Sequence, residues 1–189
     1  MKFRYLAKEF SRLPFNTYAG PDRPELTIVI SGIGFLFSLE AIALLGLEDR
    51  VGITRLGTTW PLPEGFMHEI VKRSPQFFVV EEVDPFIEEN LKEFLEVYAE
   101  KYGSRKVYGR VSGPFPSVGG LTSEHPLHAL EDILIVSYHS RPAAYERQVA
   151  RETEGLLIDR ALGFCRGVLT VPLSGLSRML WQRMGGKEL

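Results

Sequence analysis

The chain has 189 residues, enough for one domain with a sizeable core and an extension beyond it. Hydrophobic and charged fractions of 44% and 24% are those of a globular protein and exclude disordered, collagenous and coiled-coil classes. A net charge of -2 gives no reason to expect nucleic acid as a partner, because phosphate binding needs a surplus of Lys and Arg. The single cysteine, Cys165, excludes a disulfide scaffold and an iron–sulfur or Cys-rich zinc site within this chain.

The apolar runs are interrupted by Ser and Gly and are shorter than the roughly 20 residues that a membrane span needs. The N-terminus is charged throughout and lacks the long apolar stretch of a signal peptide. We therefore expect a cytoplasmic protein without a membrane span.

Residues 1–24 are a charged lead-in that ends in a Pro- and Gly-rich stretch. After it, short apolar runs bounded by turn residues predict strands over 26–31, 51–56, 76–80 and 106–111. Between these strands, apolar residues at helical spacing predict helices over 35–47, 64–73 and 85–102. Strands and helices that alternate in this way form a parallel, doubly wound sheet with helices on both faces. We predict an α/β three-layer sandwich with a mostly parallel sheet over residues 25–122.

Beyond residue 122 the pattern becomes mainly helical, and residues 123–189 are predicted to be a helical extension of unknown role. It contains a long candidate helix over 142–162 and an amphipathic segment over 173–184. That segment could cover the domain's own apolar surface, dock on a partner chain or lie on a membrane surface. Packing against the chain's own domain is the favoured interpretation, because few basic residues are present to anchor it to a membrane.

Open α/β sheets place their binding sites where the carboxyl ends of the strands meet. The predicted ligand-binding or interface residues are therefore those that follow the first three strands: Gly32, Gly34, Gly57, Thr58, Glu81 and Glu82. No complete catalytic constellation accompanies them, so we predict no catalytic residue in this chain.

Each of these features has a structural alternative. The segment Ser31-Gly-Ile-Gly34 lacks the third glycine of a dinucleotide fingerprint, since Phe37 stands there, and a tight turn is the alternative to an anion site. Adjacent residues on a strand point to opposite faces, so Glu81 and Glu82 are not expected to share a site. Capping of the following helix, or pairing across an interface, is the alternative for these carboxylates.

Two histidines and the cysteine are the other candidate reactive groups. His125 and His128 are three residues apart and could reach one metal ion from a helix, but no third ligand has supporting spacing. Cys165 is interpreted as a packed, inert thiol. We predict no metal site.

A series of motifs resembles the middle domain of the alpha subunits of indolepyruvate:ferredoxin oxidoreductases. The similarity covers about residues 13–122, and the motifs occur in the order found in that family. They are Phe15-Asn16, Gly20-Pro21, the strand Thr27 to Ser31 with Gly32, Leu44 to Leu47, Leu56-Gly57, Trp60 to Glu64, Val79 to Pro85 and Gly113 to Pro116.

The resemblance implies a transketolase C-terminal-like fold and a non-catalytic role as scaffold and interface. The complete enzymes oxidatively decarboxylate arylpyruvates to aryl-acetyl-CoA. Thiamine diphosphate, Mg and iron–sulfur clusters are then expected only in partner domains, and this chain alone is not expected to be an enzyme. Its partners would be the other subunits or domains of the oxidoreductase complex, or a second copy in a homodimer. The alternative is a free-standing α/β interaction module, or a CoA- or nucleotide-binding module, without enzyme activity.

Overall fold

A computed structural model describes residues 2–115 and 120–138, together with residues 147–149, 151, 152 and 154. The chain divides into two compact units, Met1–His139 and Ser140–Leu189. The predicted helix over 142–162 is helical at 147–149, 151 and 152. Residue 154 lies in a turn. The other residues of that predicted helix, the amphipathic segment 173–184 and Cys165 lie outside the described residues.

The first unit is built on a five-stranded sheet. Its strands are β1 Thr17–Ala19, β2 Leu26–Ile30, β3 Val51–Arg55, β4 Gln76–Val80 and β5 Lys106–Tyr108. The helices are α1 Lys2–Phe10, α2 Gly34–Leu45, α3 Glu64–Arg73, α4 Phe86–Val97, α5 Ala99–Tyr102 and α6 Glu124–Leu134. The spatial order of the strands is β1-β3-β2-β4-β5. Strands β3, β2, β4 and β5 run parallel, and β1 pairs antiparallel with β3 at one edge.

Both faces of the sheet are covered by helices, which confirms the predicted α/β class. Strand β2 is central and buried along its whole length, because alternate side chains enter opposite cores. Ile28 packs with α2 and α6 on one face, whereas Val29 packs with α3 and α4 on the other. A continuous run of β-branched residues is the pattern that such a strand requires.

The lead-in contains two elements that the sequence pattern did not predict, namely α1 and β1. Helix α1 is amphipathic, since four of its nine residues are charged and the others are apolar or aromatic; Ala7 is buried, and the helix packs on α3. Strand β1 has only three residues, too few to show an alternating pattern. The ring of Tyr18 in β1 lies directly over Gly52 of β3, where any Cβ atom would overlap the ring.

Two predicted elements are shorter in the structure. The helix expected over 85–102 is interrupted at Tyr98, which separates α4 from α5. The strand expected over 106–111 ends at Tyr108, because Val111 donates its backbone N–H to a carboxylate of α4, 3.0 Å away, and not to a neighbouring strand. Beyond this strand, α6 packs on α2, and its Leu127 and Leu130 join the core.

We expect Gly34→Ala to destabilise the domain. A Cβ atom at Gly34 would lie 2.9 Å from Val80 Cγ1 and 3.1 Å from Leu121 Cδ2, so the start of α2 could not approach the sheet as closely. Crowding of this kind costs about 1–3 kcal/mol of unfolding free energy, which urea denaturation measures. Gly120→Ala is the matched control, because no atom lies within 4 Å of its added methyl group. Equal midpoints for the two variants would contradict the packing role of Gly34.

Candidate functional site at the carboxyl edge of the sheet

The parallel strands place their following segments at one edge of the domain. The chain passes from β2 to β3 on one side and from β3 to β4 on the other, so the direction of winding changes between β2 and β4. The predicted residues Gly32 and Gly34 follow β2, Gly57 and Thr58 follow β3, and Glu81 and Glu82 follow β4. All six lie at this carboxyl edge, and their contacts distinguish what each one does.

Gly57 and Thr58 are held by the side chain of Asn16, which is buried. Asn16 Oδ1 accepts the backbone N–H groups of Gly57 at 3.0 Å and Thr58 at 3.2 Å. Its Nδ2 donates to the carbonyl of Phe10 at 2.9 Å and to Thr58 Oγ1 at 2.9 Å. A Cβ atom at Gly57 would lie 2.7 Å from the carbonyl oxygen of Phe15. This turn is therefore clamped to the end of α1 by contacts within the domain.

Glu81 and Glu82 have different surroundings. The buried carboxylate of Glu81 accepts the backbone N–H groups of Ile87 at 2.6 Å and Glu88 at 2.9 Å, at the start of α4. Burial raises the pKa of Glu81 above its ordinary value, although these two donors act in the opposite direction. Glu82 is exposed. The helix-capping alternative for Glu81 is thus confirmed.

A second buried carboxylate, Glu88 in α4, was not singled out from the sequence. Its Oε1 accepts Lys92 Nζ at 2.6 Å and the Ser112 hydroxyl at 2.9 Å, and its Oε2 accepts the Val111 N–H at 3.0 Å. Burial alone would raise the pKa of Glu88, but these three donors together hold it below its ordinary value. A side chain at Gly109 would overlap this carboxylate. Glu88 therefore fixes the segment that follows β5.

The sequence contained a signal for Glu88. It precedes Leu91 by three residues and Leu95 by seven, so the helical repeat places it beside the apolar stripe of α4. Lys92, four residues further along, supplies the opposite charge that a buried carboxylate needs. What the sequence could not indicate is that the other partners come from the segment after β5.

Arg110 joins the ends of β4 and β5. Its buried side chain donates from Nε to the carbonyl of Glu81 at 2.9 Å, and its guanidinium lies 5.5 Å from the ring centroid of Phe115. Phe115 in turn packs edge-on against Phe78 of β4, with ring centroids 5.6 Å apart. The motif Gly113-Pro-Phe therefore returns the chain to the core.

The two glycines after β2 serve the turn into α2. Gly32 has φ +73°, a conformation that favours glycine, and it is exposed. The backbone N–H of Leu36 donates to the carbonyl of Ile33 at 3.1 Å, and α2 has no side-chain cap. Gly34 allows the helix to pack closely on Val80 and Leu121. These contacts correspond to the tight-turn alternative.

The histidines do not converge on a metal. Nδ1 of His125 accepts the backbone N–H of Thr122 at 3.1 Å, whereas Nδ1 of His128 pairs with Glu131 Oε2 at 2.8 Å. Within residues 2–115 and 120–138 no group of three or more His, Cys, Asp or Glu side chains could hold a metal ion. None of the helices in that same part of the chain is long and apolar enough to cross a membrane.

These contacts define an α/β domain of doubly wound type whose carboxyl edge is braced by its own polar side chains. No protein-family model matches the chain. Curated relatives do: it is 36% identical over 91 residues to indolepyruvate oxidoreductase subunit IorA of Pyrococcus horikoshii, which is 48% of this chain and 13% of that protein. The IorA subunit of Methanothermobacter thermautotrophicus is 34% identical over 101 residues, 53% of this chain and 16% of that protein.

The chain therefore matches only about one-seventh of the length of these relatives, as the 13% and 16% shares show. The resemblance to indolepyruvate oxidoreductase alpha subunits that the motifs predicted is confirmed. Among solved structures, a split-gene transketolase described as an inactive beta4 tetramer matches with a TM-score of 0.49 and 21% identity, over 64% of this chain and 41% of that one.

We expect Glu88→Ala to destabilise the domain strongly. The change leaves Lys92 without its carboxylate and the Val111 N–H and Ser112 hydroxyl without their acceptor. Loss of the hydrogen bonds to this buried, charged acceptor costs about 1–3 kcal/mol in unfolding free energy, measurable by urea denaturation. Glu89→Ala, at the exposed neighbouring position, is the control and is expected to change little. A similar loss in both variants would contradict the bracing role of Glu88.

Glu81→Gln tests the buried cap through its pH dependence. Because the pKa of Glu81 is raised on folding, the folded state holds the proton more tightly, and this residue's contribution to stability falls as pH rises from 4.5 through the folded-state pKa. The unfolding free energy of the wild type should therefore rise relative to Glu81→Gln as pH is lowered from neutral towards 4.5. Glu82→Gln, at the exposed position, should follow the wild-type profile. Parallel profiles for wild type and Glu81→Gln would show that the carboxyl is not perturbed.

Proposed function

We propose that this chain is a non-catalytic scaffold and interface domain, or subunit, of an indolepyruvate-type 2-oxoacid:ferredoxin oxidoreductase. The observation that carries the proposal is the 36% identity to an IorA subunit over 91 residues. That segment is 13% of the relative's length, so the chain corresponds to a small part of a larger subunit.

The contacts at the carboxyl edge support a scaffold role. The side chains of Glu81, Glu88 and Asn16 are each hydrogen-bonded to backbone or side-chain groups of this domain. A carboxylate that caps a helix, or an amide that clamps a turn, is not available as an acid, base or ligand. These side chains fix the shape of the edge, and a fixed edge is suited to binding another protein surface.

In the proposed complex, oxidative decarboxylation of an arylpyruvate to aryl-acetyl-CoA takes place in partner domains, which hold thiamine diphosphate, Mg and the iron–sulfur clusters. The cofactors supply the carbanion and electron-transfer chemistry there. The α/β domain of this chain would hold those partner domains in the arrangement that the reaction needs. We place the complex in the cytoplasm.

The direct test is to purify the tagged chain from its own source cells. Mass spectrometry would identify the chains that accompany it, and light scattering would give the mass of the assembly. We expect thiamine-binding and cluster-bearing chains in a fixed ratio, together with dye reduction that depends on an arylpyruvate and CoA.

Recovery of the chain alone, or as a homo-oligomer, would contradict the proposal. Thermal stabilisation of the isolated chain by CoA or a nucleotide would then favour the small-molecule-binding alternative. Added ligands that leave the melting temperature unchanged, with partner chains present in the preparation, support the scaffold role.

A further inference from the structure

The carboxyl edge carries exposed apolar side chains from every segment that reaches it. They are Phe15 before β1, Ile33 between β2 and α2, Trp60 between β3 and α3, Val83 between β4 and α4, Phe86 at the start of α4, and Val111 after β5. We refer to these six side chains as the apolar edge. Isolated exposed apolar residues are ordinary, but a set that several segments bring to one edge marks an interaction surface.

We propose that the apolar edge is the surface on which this domain docks against another chain of the oxidoreductase, a chain with an apolar contact surface rimmed by Lys or Arg. The inference rests on the proposed function and names the surface and the partner's chemistry.

An aromatic pair contributes to this surface. Trp60 and Phe86 pack edge to face, with ring centroids 6.0 Å apart, although Trp60 remains 57% exposed. Trp60 lies in the loop between β3 and α3, whereas Phe86 begins α4, so each helps to fix the other's orientation. Large aromatic side chains that are already oriented lose little entropy on binding, which is why such residues dominate the energetics of protein interfaces.

Val83 is a second feature that indicates an interaction surface. Its φ of +64° lies in the left-handed region, which is unfavourable for a β-branched residue by about 1–3 kcal/mol, and its side chain is 76% exposed. Burial of the Val83 side chain within the domain does not offset this strain energy. A strained, exposed valine is explained if a partner surface buries it.

The charges next to Val83 indicate the partner's chemistry. The flanking residues Glu82 and Asp84 are both exposed, so the apolar edge is bordered by two carboxylates. The exposed cation Arg55 stands at the end of β3, with β2 between it and β4, and its guanidinium lies 5.5 Å from the ring centroid of Phe35, so the charges next to Val83 itself are the two carboxylates. A second copy related by a two-fold axis near Val83 would bring carboxylates against carboxylates, which is unfavourable. A different chain with basic side chains is complementary.

The length of the relatives also supports a docking surface on this domain. The matching segments make up 13–16% of the IorA subunits, so in those proteins this domain is a small part of a much longer chain. A domain of such a subunit must contact the rest of it. The braced edge, with its apolar side chains, is suited to that contact.

The experiment measures binding of the full chain to the source organism's indolepyruvate oxidoreductase chains, expressed without it, by titration calorimetry and light scattering. Val83→Asn is the principal variant, because asparagine tolerates the left-handed conformation and removes the apolar side chain. It should fold at least as stably as the wild type and bind about tenfold more weakly or worse. Glu82→Lys should also weaken binding, by placing a positive charge opposite the partner's basic rim.

The controls lie at the other end of α4. Val97→Asn removes an equally exposed valine, and Glu96→Lys reverses an exposed charge, both far along the helix from Phe86. Both should bind within about twofold of the wild type, as expected for substitutions outside an interface. Melting temperatures of the free variants separate a binding defect from a folding defect.

The outcomes separate this inference from the proposed function. If the wild type binds and the edge variants bind equally well, the docking surface lies elsewhere and the proposed function stands. If the wild type binds none of the oxidoreductase chains, both fail. A homodimer that Val83→Asn dissociates would replace the proposed partner with a second copy.

Discussion

The segment after β5 keeps its position because one carboxylate, that of Glu88, is buried beneath it. Glu88 neutralises Lys92 on its own helix and accepts donors from Val111 and Ser112, so α4 and the end of the sheet form one unit. Removal of this single acceptor would break three hydrogen bonds to a buried charged group, which are stronger than hydrogen bonds between neutral groups. The return of Phe115 to the opposite core, and its contact with Phe78, depend on that anchored segment.

Three such side chains act at the carboxyl edge, one for each of three loops. Asn16 holds the turn after β3, Glu81 holds the start of α4, and Glu88 holds the segment after β5. The side chains that brace the loops lie beneath the edge, and the six exposed side chains of the apolar edge lie on it. Loops fixed from below lose little further freedom when a partner covers them, so most of the binding free energy remains available.

Much of the fold was predictable because the burial of an element produces a recognisable pattern of apolar residues in the sequence. Strand β2 is apolar at every position since both of its faces are covered, and α3 was predicted at its observed bounds. Strand β1 is too short, at three residues, to show such a pattern. Helix α1 was missed although it is amphipathic, because it is only nine residues long and four of them are charged. Topology alone brought the predicted glycines and glutamates to one edge. Their partners could not be predicted, because Asn16 and Thr58 are 42 residues apart in sequence and meet only after folding.

The sheet ends on both sides in strands of three residues, β1 and β5, whereas the central strands have five. A short outer strand offers few free backbone groups on which the strand of another molecule could add. In the proposed assembly, a subunit synthesised before its partners would have an apolar surface uncovered, and pairing of sheets between copies would be a route to aggregation. The outer strands of this sheet are too short to template such pairing, so the unassembled chain would carry less risk of irreversible aggregation.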